Sequence, residues 1–387
     1  MKNVLRCVFL AAVFMVALPT LTARAALPIR PLQMLKPSTT TTAAPPSTTS
    51  TTAPASDGRF HVVGRNVVDP DGKTVVLRGV NKSGLEYTPY GYDNDFVTFQ
   101  RMKSWGANIV RLPLADAFGT QGMCKYDKTY LPTIDRIVSY AEQLKMVIVL
   151  DDHFATQGLP CGVGTWIGNQ KAPDTYNLTF VKALATRYKN HPYVAIDLYN
   201  EPHDTNWDIW RNGGRVDNYT AVGMQQLLDG VRSTGFKNLL FATGAQWGND
   251  LRVLANTPLR NDTDVIYGAH AYPYTCGART VPPNEPYMCE GKQYAPFLDT
   301  QVAPAIATRP VMLTEFGTQR PIDGENRAVL QWSEDHGIGW MAWLWCNGKM
   351  TDYCLLTPDG QNTPSDIGKP VQDFLFQANG WTTLGGL

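Results

Sequence analysis

VAIDLYNEPH, residues 194–203, is the stretch on which the fold turns. It opens on a short apolar run of β-type residues, Val194–Leu198, and stops abruptly on Asn200, Glu201, Pro202 and His203. The same grammar recurs in both directions along the chain. Upstream lie the runs Val76–Val80, Asn108–Leu112 and Met146–Leu150; downstream lie Leu239–Thr243, Val265–Ala269, Pro310–Leu313 and Gly339–Trp343. Between them the apolar residues of Phe96–Trp105, Thr133–Leu144, Tyr176–Tyr188, Ala221–Ser233 and Asn326–His336 fall at helical spacing. Strands that alternate with helices imply a parallel sheet, and eight of them close it: the expected class is α/β, a (β/α)8 TIM barrel. A doubly wound open sheet is the rival. It calls for a glycine-rich phosphate loop after the first strand, and Arg78-Gly79-Val80-Asn81 is not one. Ahead of the barrel, Phe60–Val68 and Thr74–Leu77 flank the turn Asp69-Pro70-Asp71-Gly72, so a short N-terminal β-hairpin is expected.

In such a barrel, chemistry gathers where the strands end at their C-terminal side. Strand two leads to Arg111, and strand three to Asp151, Asp152 and His153. Strand four leads to Asn200 and Glu201, strand six to His270 and Tyr272, strand seven to Glu315, and strand eight to Trp343, Leu344 and Trp345. One polar or charged strand end is routine; convergence of functional side chains from six strands is not. Strands four and seven face each other across the mouth, so Glu201 and Glu315 can flank one bond. Two flanking carboxyl groups are what glycoside cleavage requires: one donates a proton to the leaving oxygen, and the other attacks or stabilises the sugar carbon from the opposite face. The donor must stay protonated near neutral pH, so Glu201 needs a raised pKa, from burial and from the charge of Glu315.

With those residues in barrel order, residues 59–380 resemble glycoside hydrolase family 5, the cellulase family, and Asn200-Glu201-Pro202 resembles the signature of the clan A retaining glycosidases. The resemblance implies that Glu201 is the acid/base and Glu315 the nucleophile. It further implies that Arg111 and Tyr272 bond Glu315, that His270 assists Glu201, and that His153 and Asn200 reach the sugar beside the cleavage point. Trp345 is implied as the sugar platform. The loop Asn81–Tyr87 after the first strand departs from the form of the best-known cellulases.

Each residue also has a structural reading. The glutamates could cap strands, Arg111 could be a barrel ion pair, the two histidines could be satisfied core groups, and Trp345 could be core. A metal site from His153, His270 and Asp152 is the weaker alternative, because the mechanism needs none. No metal and no cofactor are expected. Trp166, Trp207 and Trp247 sit in loops that could wall further sugar subsites, or could simply pack there. Sequons begin at Asn81, Asn177, Asn218 and Asn261, close to the number chance provides.

The remaining sequence places the protein. Lys2 and Arg6 precede an uncharged apolar run, Val8–Leu18, and Ala23-Arg24-Ala25 fits a small-x-small cleavage site. Residues 1–25 therefore read as a secretory signal peptide, too short for a comfortable membrane span. Residues 26–56 are almost wholly Thr, Ser, Pro and Ala, a composition that cannot bury a core and reads as a disordered linker. The catalytic domain is expected over 57–387. The chain carries 34 basic and 34 acidic residues; without Lys2, Arg6, Arg24, Arg30 and Lys36 the basic count falls to 29. That balance argues against nucleic acid. Cys124, Cys161, Cys276, Cys289, Cys346 and Cys354 remain after the signal, an even number that points to disulfides in an exported protein. Cys276–Cys289 and Cys346–Cys354 each bracket one loop, which leaves Cys124–Cys161; zinc is disfavoured by the absence of a CxxC pair. The expected function is a secreted, monomeric hydrolase acting on a polysaccharide, foremost endo-cleavage of β-1,4-glucan, without membrane attachment after signal removal. Mannan, xylan and β-1,3-glucan, exo-action, and a non-catalytic carbohydrate-binding barrel are the alternatives.

Overall fold

The computed structural model describes residues 58–123, 125–155, 168–272, 294–318, 325–348, 351, 353–359 and 362–381. Thirteen strands are present among them. Strands β1 (His61–Val63), β2 (Asn66–Val68) and β3 (Thr74–Val75) precede the barrel strands β4 (Arg78–Asn81), β5 (Ile109–Ala115), β6 (Val147–Phe154) and β7 (Val194–Asp197). The pair β8 (Gly213–Val216) and β9 (Tyr219–Val222) intervenes before β10 (Leu240–Thr243), β11 (Val265–Ala271), β12 (Val311–Phe316) and β13 (Gly339–Ala342). The eight strands β4–β7 and β10–β13 form one closed parallel barrel. Each expected strand contributes to it.

Two local expectations are corrected. Phe60–Val68 is not one arm of a hairpin. Gly64 takes a positive φ of 63° and folds β1 back on β2, so β1, β2 and β3 form a three-stranded antiparallel sheet. Residues 221–222 are not helical either. They belong to the hairpin β8–β9, and the helix begins at Met224.

Alternation along each strand sorts its side chains into two cores. Val110, Leu112, Ile148, Leu150, Ile196 and Leu198 face outward into the layer beneath the helices. Ile109, Val147, Val149, Ala195, Phe241, Ile266, Met312 and Met341 fill the barrel interior, and Phe60 from the N-terminal sheet packs with them. The same alternation fixes the polar residues that follow. Arg111 shares the inward face of Ile109, while Asp151 and His153 share that of Val149. Asp152 turns outward, and its carboxylate accepts a 2.9 Å bond from Asn177 on the helix Thr175–Tyr188. A metal site joining Asp152 to His153 and His270 is therefore ruled out by the pleat.

Candidate active site

Arg111 stands at the centre of the barrel mouth, fully buried. Its guanidinium meets Glu315 at 2.5 Å, and Asp151 and Asp197 at 3.0 Å each. It also donates to the side-chain oxygens of Asn81 at 3.1 Å and Asn200 at 2.9 Å. Burial alone would discourage its charge, but the surrounding carboxylates outweigh that and raise its pKa. The same burial pushes Asp151 and Asp197 up to about 7, against the pull of Arg111.

Glu315 is held from its other side by the Tyr272 hydroxyl, which donates to Oε2 at 2.6 Å. Glu201 lies opposite, just beyond the end of β7. His270 Nδ1 is 2.8 Å from its Oε1, and Asn169 donates to its Oε2 at 2.9 Å. A carboxylate oxygen of Glu201, a ring nitrogen of His270 and a carboxylate oxygen of Glu315 all lie within 4.8 Å of one another. Desolvation pushes Glu201 up to about 7; the nearby charges of His153 and Arg111 and the Asn169 bond pull the other way. Burial is thus the source of the shift, rather than the neighbouring carboxylate. It also pushes His270 down to about 3, so this imidazole is neutral at working pH. Gly248 makes room for it. With a φ of 71°, its carbonyl accepts from the His270 backbone N–H at 3.0 Å, and a Cβ there would fall 2.9 Å from the imidazole.

His153 is paired through Nδ1 with Asp151 at 2.6 Å, which leaves Nε2 facing the Asn200 amide at 3.4 Å. Burial lowers its pKa. Asn200 also donates to Asn169 Oδ1 at 3.2 Å. Glu201, Glu315, Arg111, His153, Asn200, His270 and Tyr272 therefore converge on one centre.

Trp345 does not join them. It is 2% exposed and packs edge-on against Trp105 in the core, 4.8 Å between ring centroids. The ring that reaches the cleft is Trp343, stacked on His153 at 5.3 Å and 9° between planes. Its peptide bond to Leu344 is cis. Of the loop tryptophans, Trp247 stacks on His203 at 3.6 Å, and its backbone N–H donates to Pro202 beside Glu201. Trp207 opens a short helix and packs edge-on against Trp210. Trp166 lies outside the described residues, as do Cys124, Cys161, Cys276 and Cys289. Cys346 and Cys354 form a disulfide. Of the sequon asparagines, Asn81 and Asn177 are fully buried.

Asn169 and Asp197 escaped the sequence reading as site residues, and Asn81 and Trp343 were named there without a role in the site. Asp197 and Asn81 were readable from strand alternation, since each occupies an inward position near a strand end. Asn169 carries no such signal.

The sequence profile of cellulase, glycosyl hydrolase family 5, matches residues 68–349. A mannan endo-1,4-β-mannosidase of Salipaludibacillus agaradhaerens is 28% identical over 312 residues, 78% of this chain and 86% of that protein. An endoglucanase of Clostridium saccharobutylicum is 24% identical over 300 residues, 75% of this chain and only 57% of that protein. Among solved structures, a β-glucanase of Saccharophagus degradans shares the fold with a TM-score of 0.65 at 21% identity, covering 83% of this chain and 93% of that one.

Proposed function

The chain belongs to glycosyl hydrolase family 5, and from that premise we propose that it is a secreted, retaining, endo-acting hydrolase of β-1,4-glucan. The observation that carries the reading is the approach of Glu201 and Glu315 to within 4.8 Å with His270 beside both. Carboxyl groups about 5–5.5 Å apart suit a covalent intermediate, whereas inversion needs about 6.5–9.5 Å to seat a water.

Glu315 attacks the anomeric carbon while Glu201 gives its proton to the leaving oxygen. The glycosidic C–O bond breaks as the bond from carbon to the Glu315 carboxylate forms. Water then loses a proton to Glu201 and attacks the same carbon, which restores the Glu315 carboxylate and releases the sugar. Arg111 and Tyr272 hold Glu315 in line. Neutral His270 matches either state of Glu201, because its Nδ1 can donate to the carboxylate or accept from the acid. Asn200 and His153 lie where they can bond the sugar at the cleavage point, with Trp343 as its platform in place of Trp345. Secretion follows from the N-terminal signal pattern. No helix among the described residues is long and apolar enough to cross a membrane.

The second reading is β-1,4-mannan, favoured by the identity to a mannan endo-mannosidase over 86% of that protein's length. Reducing-sugar release from carboxymethylcellulose, mixed-linkage β-glucan, mannan, xylan and β-1,3-glucan decides, with Glu315→Gln as the blank. Activity on the first two, lost in the blank, supports the glucanase. Activity on mannan alone moves the substrate and keeps the mechanism. Inactivity on all five, and on small glycosides, removes the reading.

A further inference from the structure

Residues 168–174 lie outside every helix and strand, yet their backbone is held almost residue by residue. Gly168 exchanges a pair of backbone bonds with Ala155, just past β6, at 3.0 and 3.2 Å. The Tyr199 hydroxyl donates to the Gln170 carbonyl at 2.6 Å, and the His203 N–H donates to that of Lys171 at 2.9 Å. The Val222 N–H donates to the Pro173 carbonyl at 2.7 Å, and Asp174 caps the helix Thr175–Tyr188. Connecting segments are ordinarily the mobile part of a fold, so restraint of this density points to a group that must stay in place.

Much of the grip comes from the hairpin β8–β9, which is not part of the barrel sheet. Its Tyr219 hydroxyl accepts from the Ala172 N–H at 3.0 Å and donates to the Ala172 carbonyl at 2.9 Å. Buried Ala172 also packs with Val216 and Ala221 of the same hairpin, and Lys171 pairs with Asp217 in its turn at 2.9 Å.

The side chain so placed is Asn169, the last link of a hydrogen-bond chain whose direction chemistry fixes. Arginine can only donate, so Arg111 gives to Asn200 Oδ1 at 2.9 Å. The Asn200 amide nitrogen then donates to Asn169 Oδ1 at 3.2 Å, and the Asn169 nitrogen is left to donate to Glu201 Oε2 at 2.9 Å. Each donor points toward Glu201, and at the far end Arg111 also bonds Glu315. An amide nitrogen cannot accept, so a proton on Oε2 would find no acceptor in Asn169. The proton belongs on Oε1, 2.8 Å from His270 Nδ1.

We propose that Asn169 is a positioning residue for the acid/base: its amide, oriented by Arg111 through Asn200 and held by the hairpin through Tyr219, reserves Oε1 of Glu201 for the transferred proton and steadies the carboxylate once the proton has left. The inference rests on the glycosidase reading above and deepens it. Glu201 is also faced by Arg111 from β5, Asp151 and His153 from β6, His270 and Tyr272 at the end of β11, and Glu315 from β12. Asn169 is uncharged, so replacing it by Ala removes one donor and leaves the charges of that cluster as they are. A donor to the ionised form holds the pKa of an acid down, so its loss raises Glu201 further and carries the alkaline fall in activity upward.

The test is the pH profile of kcat/KM on carboxymethylcellulose, or on mannan if the parent acts only there. The full chain is compared with its Asn169→Ala, Asn169→Asp and Tyr219→Phe variants, each checked for folding by circular dichroism. Asn169→Ala should lower kcat/KM about tenfold or more at pH 6 and move the alkaline limb up by about one pH unit. Asn169→Asp keeps the shape, replaces the donor with a like charge, and should move the limb at least as far. Tyr219→Phe keeps the ring, loses only the hydroxyl, and should move the limb the same way by less. An active parent whose limb stays put or moves down in both Asn169 variants overturns the proposal alone. A limb that moves in those variants but not in Tyr219→Phe overturns the part given to the hairpin. A parent inactive on every substrate overturns the glycosidase reading, and this inference with it.

Discussion

His270 Nδ1 lies 2.8 Å from Glu201 Oε1 and only 3.6 Å from Glu315 Oε2, so one buried neutral imidazole stands between the two carboxyl groups. A charged imidazole there would hold Glu201 ionised; a neutral one lets burial keep it protonated. Desolvation raises Glu201 to about 7, and in the proposed mechanism it is the acid that limits turnover as pH rises. Activity on polysaccharide should therefore fall above about pH 7. Glu201→Gln should lose about 10²- to 10⁴-fold on polymer and less on activated aryl glycosides, whose leaving groups need little protonation. A pH–rate profile on both substrates checks this.

That same shift makes a stability prediction. Folding raises the pKa of Glu201 from its ordinary 4.5 to about 7, so the native state holds the proton more tightly than the unfolded chain does. The contribution is fully present below about pH 4.5 and is lost as pH rises through about 7. At about 1.4 kcal/mol per unit, the loss amounts to about 3 kcal/mol. Glu201→Gln should accordingly lose less stability than the parent between pH 5 and pH 8 in urea melts. Equal losses would sink the idea.

Tyr272→Phe removes the hydroxyl that donates to Glu315 at 2.6 Å and nothing else. A hydrogen bond to a charged group contributes about 1.5–3 kcal/mol, so kcat should drop about 10- to 100-fold with the fold intact. A change in KM alone, with kcat untouched, would place Tyr272 in substrate binding instead.

The two tryptophans after β13 should separate by phenotype. Trp345→Ala empties a core position packed on Trp105 and should cost about 3–5 kcal/mol in denaturant melts. Trp343→Ala should leave most of that stability in place and raise KM for oligosaccharides. Were the two effects exchanged, the assignment of the platform to Trp343 would fail.

Asp116 is buried, and burial together with Asp174 raises its pKa well above the ordinary range, against the pull of the Ala117 backbone N–H. Its proton, too, is bound more tightly in the native state. The stability it supplies is fully present below about pH 4 and is lost as pH rises through the raised pKa. Asp116→Asn should match the parent at pH 4 and exceed it in melting temperature at pH 9. An identical shift at both pH values would refute the titration and leave only a packing effect.

Much of this is legible in the amino-acid sequence. Short apolar runs ending in polar clusters gave the barrel, because a strand buried on both faces must be apolar until it reaches the solvent-filled mouth. Period-two alternation from Ile109 or Val149 already implies that Arg111, Asp151 and His153 share the interior and that Asp152 does not. The strand ends supplied both glutamates, and the resemblance assigned their roles.

What the sequence determined was the class of fold and the identity of groups tied to strand pleats, since a side chain in a strand has only two faces to choose from. What only the tertiary structure decided were the groups on irregular backbone. After Ala342 the chain leaves the pleat, and alternation no longer says which of Trp343 and Trp345 turns to the cleft. Asn169 reaches Glu201 from 32 residues away in sequence, and it sits on irregular backbone with no period. The raised pKa of Glu201 likewise came from desolvation, a property of everything packed around the carboxyl group and not of its neighbours in the chain.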